Sequence, residues 1–150
     1  MEEKQYDSVP VAKYLLAVAN KNGKKLNATQ LQKLMFIAYG FFLAKYEYAP
    51  LTESPKAWPF GPVFPRIQKH VNHNIEFSIS EVPDEILNDN KLVDIINRVI
   101  GKYSNVPAGK LSAWSHEPNS PWYKTVGEGK AVNQEIPDEY IMNYFSKYNL

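Results

Sequence analysis

The chain has 150 residues, enough for one compact domain over residues 1–150 that buries roughly 70% of its unfolded surface, and too few for a catalytic pair of domains. Seventeen Lys and Arg against sixteen Asp and Glu leave a net charge of +1, which argues against a sequence-independent nucleic-acid coater built on many phosphate contacts. With no cysteine, disulfides, thiolate metal sites and cysteine nucleophiles are excluded. The start, Met1 to Asp7, lacks the basic and apolar runs of a signal peptide. The longest uncharged apolar stretch, Leu34 to Ala44, is too short to span a bilayer. We therefore expect a soluble, cytoplasmic domain with no membrane partner.

Ser8 is placed to cap a first helix, with Pro10 early in it and Val11, Tyr14, Leu15 and Val18 at helical spacing. Asn22-Gly23 ends it. Asn27 and Gln30 form a capping-box pattern for a second helix. Its residues Leu31, Leu34, Met35, Phe36, Ile37, Ala38, Tyr39, Phe41 and Phe42 are apolar on nearly every side, as in a central helix. Five of the eleven prolines then fall between Pro50 and Pro65, which rules out a helix there. A rigid aromatic loop carrying Trp58, Phe60, Val63 and Phe64 is expected instead, either functional or packed by its own side chains. A helix should resume near Val63 or Pro65 and run to about Val71. Phe77-Ser78-Ile79-Ser80 alternates as a short strand would. Six acids and one Lys lie between Glu76 and Asp94, a solvated face by its composition. Leu92, Ile95, Ile96, Val99 and Ile100 mark a helix from Asn90 to Tyr103, and a shorter one follows Pro107 with Leu111 and Trp114. Trp122 opens a partial turn after Pro121. A last helix starts after Pro137 with Asp138 and Glu139 in its first turn and Tyr140, Ile141, Tyr144 and Phe145 as its apolar face. The fold class is mainly α: a single compact domain of about six helices with a short pair of β-strands.

No catalytic constellation emerges. His70 and His73 share a helical spacing, but a metal needs three or four ligands and no Glu-x-x-His motif adds them. Ser115-His116-Glu117 contains triad residue types, yet a triad is assembled from distant segments. Gly61, Gly127 and Gly129 form no phosphate loop, and the acid pairs Asp84-Glu85 and Asp138-Glu139 suit turns and helix starts. We expect no enzyme activity, no cofactor and no metal. Lys21, Lys24 and Lys25 lie between the first two helices as in a helix-turn-helix, and Gln30, Gln32 and Lys33 begin the second. From Leu34 to Ala44 that helix is too apolar for a DNA groove, so nucleic-acid binding is the minority reading. A binding module fits better. Prolines fix the backbone in advance, and rigid aromatic anchors lose little entropy on contact. The candidate partner-binding residues are Trp58, Phe60, Gly61, Pro62, Val63, Trp114, His116, Trp122 and Tyr123, with the alternative that their rings plug the ends of the bundle.

Four patches, in order, resemble one family. Leu31-Gln32-Lys33-Leu34-Met35-Phe36-Ile37-Ala38-Tyr39-Gly40 is similar to the core helix of the Panacea domain, found in SocA-like antitoxins. Ala57-Trp58-Pro59-Phe60-Gly61-Pro62-Val63 resembles its Trp–Gly–Pro–Val loop. Leu111 to Glu117 with Ser120-Pro121-Trp122 resembles its Thr-His and Pro-Trp segment, and Ile136 to Ile141 with Tyr144-Phe145 its closing helix. The resemblance spans residues 8–147, while His73 to Asn90 matches nothing in it. Phe60 stands where Tyr is commoner and Ser115 where Thr is usual, changes that remove or shrink a polar group. The resemblance implies an antitoxin that neutralises a cognate protein toxin by direct binding, the toxin encoded beside it in a bacterium, phage or prophage. It also offers two alternatives: an adaptor that delivers its partner to a protease, and a nucleic-acid-binding transcriptional regulator. Many members carry an extra N-terminal DNA-binding domain, which this chain is not expected to have. The acidic stretch is a second candidate surface, suited to steering a basic toxin.

Overall fold

Asn27 starts the helix on which the other elements are built. In the computed structural model, which describes residues 3–71, 81–127 and 133–150, its side chain accepts the Gln30 N–H at 2.8 Å. Gln30 Oε1 returns the favour to the Asn27 N–H at 3.0 Å, so the capping box forms as its residues dictate. The helix, α2 (Ala28–Tyr46), is buried without a break from Leu31 to Leu43. It is enclosed by α1 (Ser8–Lys21), α5 (Asn90–Tyr103), α6 (Ala108–Ser115) and α8 (Asp138–Phe145). Gly40 lets α8 come close: a Cβ there would overlap the Phe145 ring, which also meets Phe36 and Phe41 edge-on with centroids 5.8 and 5.0 Å away.

The cap of α1 differs from the expectation. Asp7, in extended backbone, accepts the Val9 N–H at 3.1 Å, while Ser8 is the first helical residue, buried, and donates its hydroxyl to the Glu53 carboxylate. Asp7 also takes two donors from Arg66, Nη2 at 2.8 Å and Nε at 3.0 Å, and this holds its carboxyl below the ordinary value. Gly23, at φ +78°, makes the left-handed stop after Asn22.

The proline-rich stretch is not a loop throughout. β1 (Lys56–Trp58) and β2 (Gly61–Val63) form an antiparallel hairpin pairing Lys56 with Val63, Ala57 with Pro62 and Trp58 with Gly61, so Pro59 and Phe60 are its tip. β3 (Gln134–Glu135) pairs antiparallel with the other side of β1, giving the order β2-β1-β3. Pro62 is tolerated because β2 is an edge strand with no further neighbour to serve. The strand expected at Phe77–Ser80 lies outside the described residues.

The remaining helices are α3 (Pro65–Val71), the single turn α4 (Asp84–Leu87), and α7 (Pro121–Val126), capped by Ser120. Eight helices are thus seen among the described residues where about six were expected. The difference is α4, which has no sequence period to betray it, and α7, whose six residues complete the partial turn expected at Trp122. Asp89 caps α5 through the Leu92 N–H at 3.1 Å, and its buried stripe is the expected Leu92, Ile95, Ile96, Val99 and Ile100. Among the described residues no helix is long and apolar enough to cross a membrane.

Candidate functional site

The hairpin tip is held from three helices at once. Trp122 of α7 donates its indole Nε1–H to the Trp58 carbonyl at 2.7 Å. His116, the residue that ends α6, places Nε2 2.9 Å from the Pro59 carbonyl. Lys33 of α2 donates from Nζ to the Pro62 carbonyl at 3.3 Å. Just beyond, Gln32 clamps the backbone of Phe64 with its whole amide, accepting the Phe64 N–H at 2.9 Å and donating to the Phe64 carbonyl at 3.3 Å. A fourth tether comes from the Trp58 indole, which donates to Asn133 Oδ1 at 2.9 Å. Backbone carbonyls that a hairpin tip would leave to water are here taken by side chains, which fixes the tip before any partner arrives.

Gly61 makes this convergence possible. Its φ of +112° belongs to glycine, and a Cβ on it would sit 2.7 Å from Ser115 Oγ and 2.9 Å from Lys33 Cε. Lys33 is only 2% exposed, and among the described residues its ammonium has the one carbonyl acceptor for three donors. Burial pulls its pKa down to about 8. Ser115 gives its hydroxyl proton to the Ser112 carbonyl at 2.8 Å, and Ser120 gives its own to the Ser115 carbonyl at 2.9 Å. The His116 and Trp122 rings pack with centroids 4.2 Å apart.

One side chain is left out of this lattice. Phe60 is 77% exposed, and among the described residues only Tyr148 joins it as a large exposed hydrophobic. Of the residues picked from sequence, Trp58, Phe60, Gly61, Pro62, His116 and Trp122 come together here. Val63 is buried beneath them in β2, and Tyr123 lies on α7, its N–H capped by Ser120 Oγ at 3.1 Å. Trp114 goes elsewhere. It packs on Phe36, Tyr144 and Phe145, donates to Tyr144 OH at 2.7 Å, and lines an apolar groove of about 250 Å³ with Phe41, Tyr103 and Leu111.

Lys33, Gln32, Ser115, Ser120 and Asn133 are not among the candidate partner-binding residues of the sequence, where Gln32 and Lys33 stand as the start of a DNA-reading helix and Ser115 as a triad residue type. For the first two a signal existed: adjacent polar residues inside an otherwise apolar helix need partners, and the nearby Gly-Pro segment offers bare carbonyls. His70 sits exposed at the end of α3, and His73 lies outside the described residues. Among the described residues no three His, Asp or Glu side chains converge as a metal site would require.

A family model for the antitoxin SocA-like, Panacea domain matches residues 31–123. That stretch is well over half of the chain and holds α2 from Leu31 onward, the hairpin, His116 and Trp122. It is narrower than the span of 8–147 expected from the motifs. No curated protein and no solved structure matches the chain.

Proposed function

The chain belongs to the family of SocA-like antitoxins with the Panacea domain, and from that premise we propose that it neutralises a cognate toxin by direct protein contact at the Phe60 tip, without catalysis. The observation that carries this reading is an exposed phenylalanine on a backbone locked from α2, α6 and α7. An isolated apolar ring in water contributes nothing to folding, whereas a rigid aromatic that enters a partner's pocket is the usual centre of an interface. The acidic stretch is the weaker candidate, because three of its five described acids are engaged internally. Glu81 pairs with Lys13 at 3.4 Å, Asp94 with Arg98 at 3.0 Å, and Asp89 caps α5 while accepting the Tyr6 hydroxyl at 2.6 Å.

The toxin of such a pair is expected from the neighbouring reading frame. Inducing that frame alone should arrest growth, co-expression of this chain should restore it, and the two should co-purify. Phe60→Ser should leave the melting temperature within about 2 °C of the parent and weaken the complex about thirtyfold, the size of an interface anchor. A neighbour that is harmless, or a complex indifferent to Phe60→Ser, would remove the proposal. Restoration of growth that depends on a host protease would make the chain an adaptor, and duplex DNA binding that falls steeply with salt would make it a regulator.

A further inference from the structure

We propose that His116 holds the hairpin tip as an imidazolium, donating from both ring nitrogens at once, so that its charge positions Phe60. Its consequence for a partner rests on the role of the tip proposed above; its geometry does not. Nε2 lies 2.9 Å from the Pro59 carbonyl and Nδ1 2.6 Å from the Ser112 carbonyl. Both are acceptors only. A neutral imidazole carries one N–H, so either tautomer would aim a nitrogen lone pair at a carbonyl oxygen, while the imidazolium satisfies both. The third neighbour agrees. Ser115 Oγ, 3.3 Å from Nδ1, has spent its proton on Ser112 and turns a lone pair to the ring.

Two further features favour the charge. His116 ends α6, where the last carbonyls carry the negative end of the helix dipole, and the Ser112 oxygen is one of them. The Trp122 ring, with its centroid 4.2 Å away, supplies a cation–π face. Charged or titratable side chains carried by the segments that meet at the tip include Lys33 of α2, Lys110 of α6, Glu117 next in the chain, Tyr123 and Lys124 of α7, Lys56 of β1 and Glu135 of β3. Lys33, which meets Ser115 across Gly61, is the cation that opposes a second charge. His116 is thus a positioning residue: with its charge gone, one of the two carbonyl contacts is lost, and the Pro59 carbonyl is the one without a helix behind it.

The test is nitrogen-15 NMR of the histidine rings in the full chain from pH 5 to pH 9. At pH 7 the His116 nitrogens should resonate close together with both ring protons visible, and should move apart as the ring is deprotonated. The Gly61 amide and the Trp122 indole N–H should shift along the same curve, and His116→Gln should abolish that pH dependence. A neutral-tautomer pattern for His116 at pH 7, or tip signals that ignore its titration, would overturn the assignment. The two readings fail separately. If the ring behaves as described while Phe60→Ser still restores growth, the His116 assignment stands and the tip is not the toxin contact. If Phe60→Ser fails to rescue but the ring is neutral, the tip is the contact and His116 does not set it.

Discussion

Lys33 carries a cost that folding has to absorb. Its pKa near 8, against an ordinary 10.5, means that between those values the unfolded chain keeps a proton that the folded chain has released. Stability should therefore rise with pH across that window and be lowest below it, where the buried ammonium is fully charged. Lys33→Met removes the charge and leaves one carbonyl unmet, so we expect a gain of about 2 kcal/mol at pH 7 and a flat response from pH 8 to 10.5 in denaturant titrations. The same variant unhooks the Pro62 carbonyl, and on the proposed role of the tip it should bind a toxin less well while melting higher. Residues that give up stability to hold a binding geometry show this pairing. Gly61→Ala should do the reverse of the first effect: left-handed backbone and contact with Ser115 Oγ together should cost about 2–3 kcal/mol.

Among elements, those set by local chemistry were legible and those set by distant contacts were not. The Asn27–Gln30 box, the α5 stripe and the start of α8 after Pro137 are each encoded within a few residues, and each is where the sequence put it. Asn27→Ala should cost about 1 kcal/mol, measurable as a lower denaturation midpoint with an unchanged slope. The hairpin could not be read the same way. Its strands have three residues each, too few for an alternation, and one of the six is a proline excused only by its edge position. Half of the candidate site was visible in the aromatic and proline pattern. The other half was hidden because its bonds join residues far apart in the chain, Trp122 to Trp58 and Asn133 to Trp58 among them. Trp114 shows the converse: its motif neighbourhood matched the site, but its side chain faces α2 and α8. Gly40→Ala should force α8 off α2 and cost at least about 2 kcal/mol, read by thermal melting.

For the molecule as a whole, the tip and the C-terminal helix are one structure. β3 pairs with β1, Ile136 N–H donates to the Pro55 carbonyl at 2.9 Å, Asp138 accepts the Tyr39 hydroxyl at 2.7 Å, and Phe145 closes over Gly40. Earlier residues of the chain are thereby completed by later ones. At roughly 5–20 residues per second, a ribosome needs on the order of 5–20 s to go from the end of α2 to the end of α8. During that interval the most apolar helix of the chain has no finished surroundings, and the hairpin lacks its third strand. A nascent chain, or one stopped before α8, therefore offers quality-control proteases an open substrate. The fold around α2 is closed only once α8 has been made, so its yield depends on synthesis running through α8 and not on transcript or chain starts.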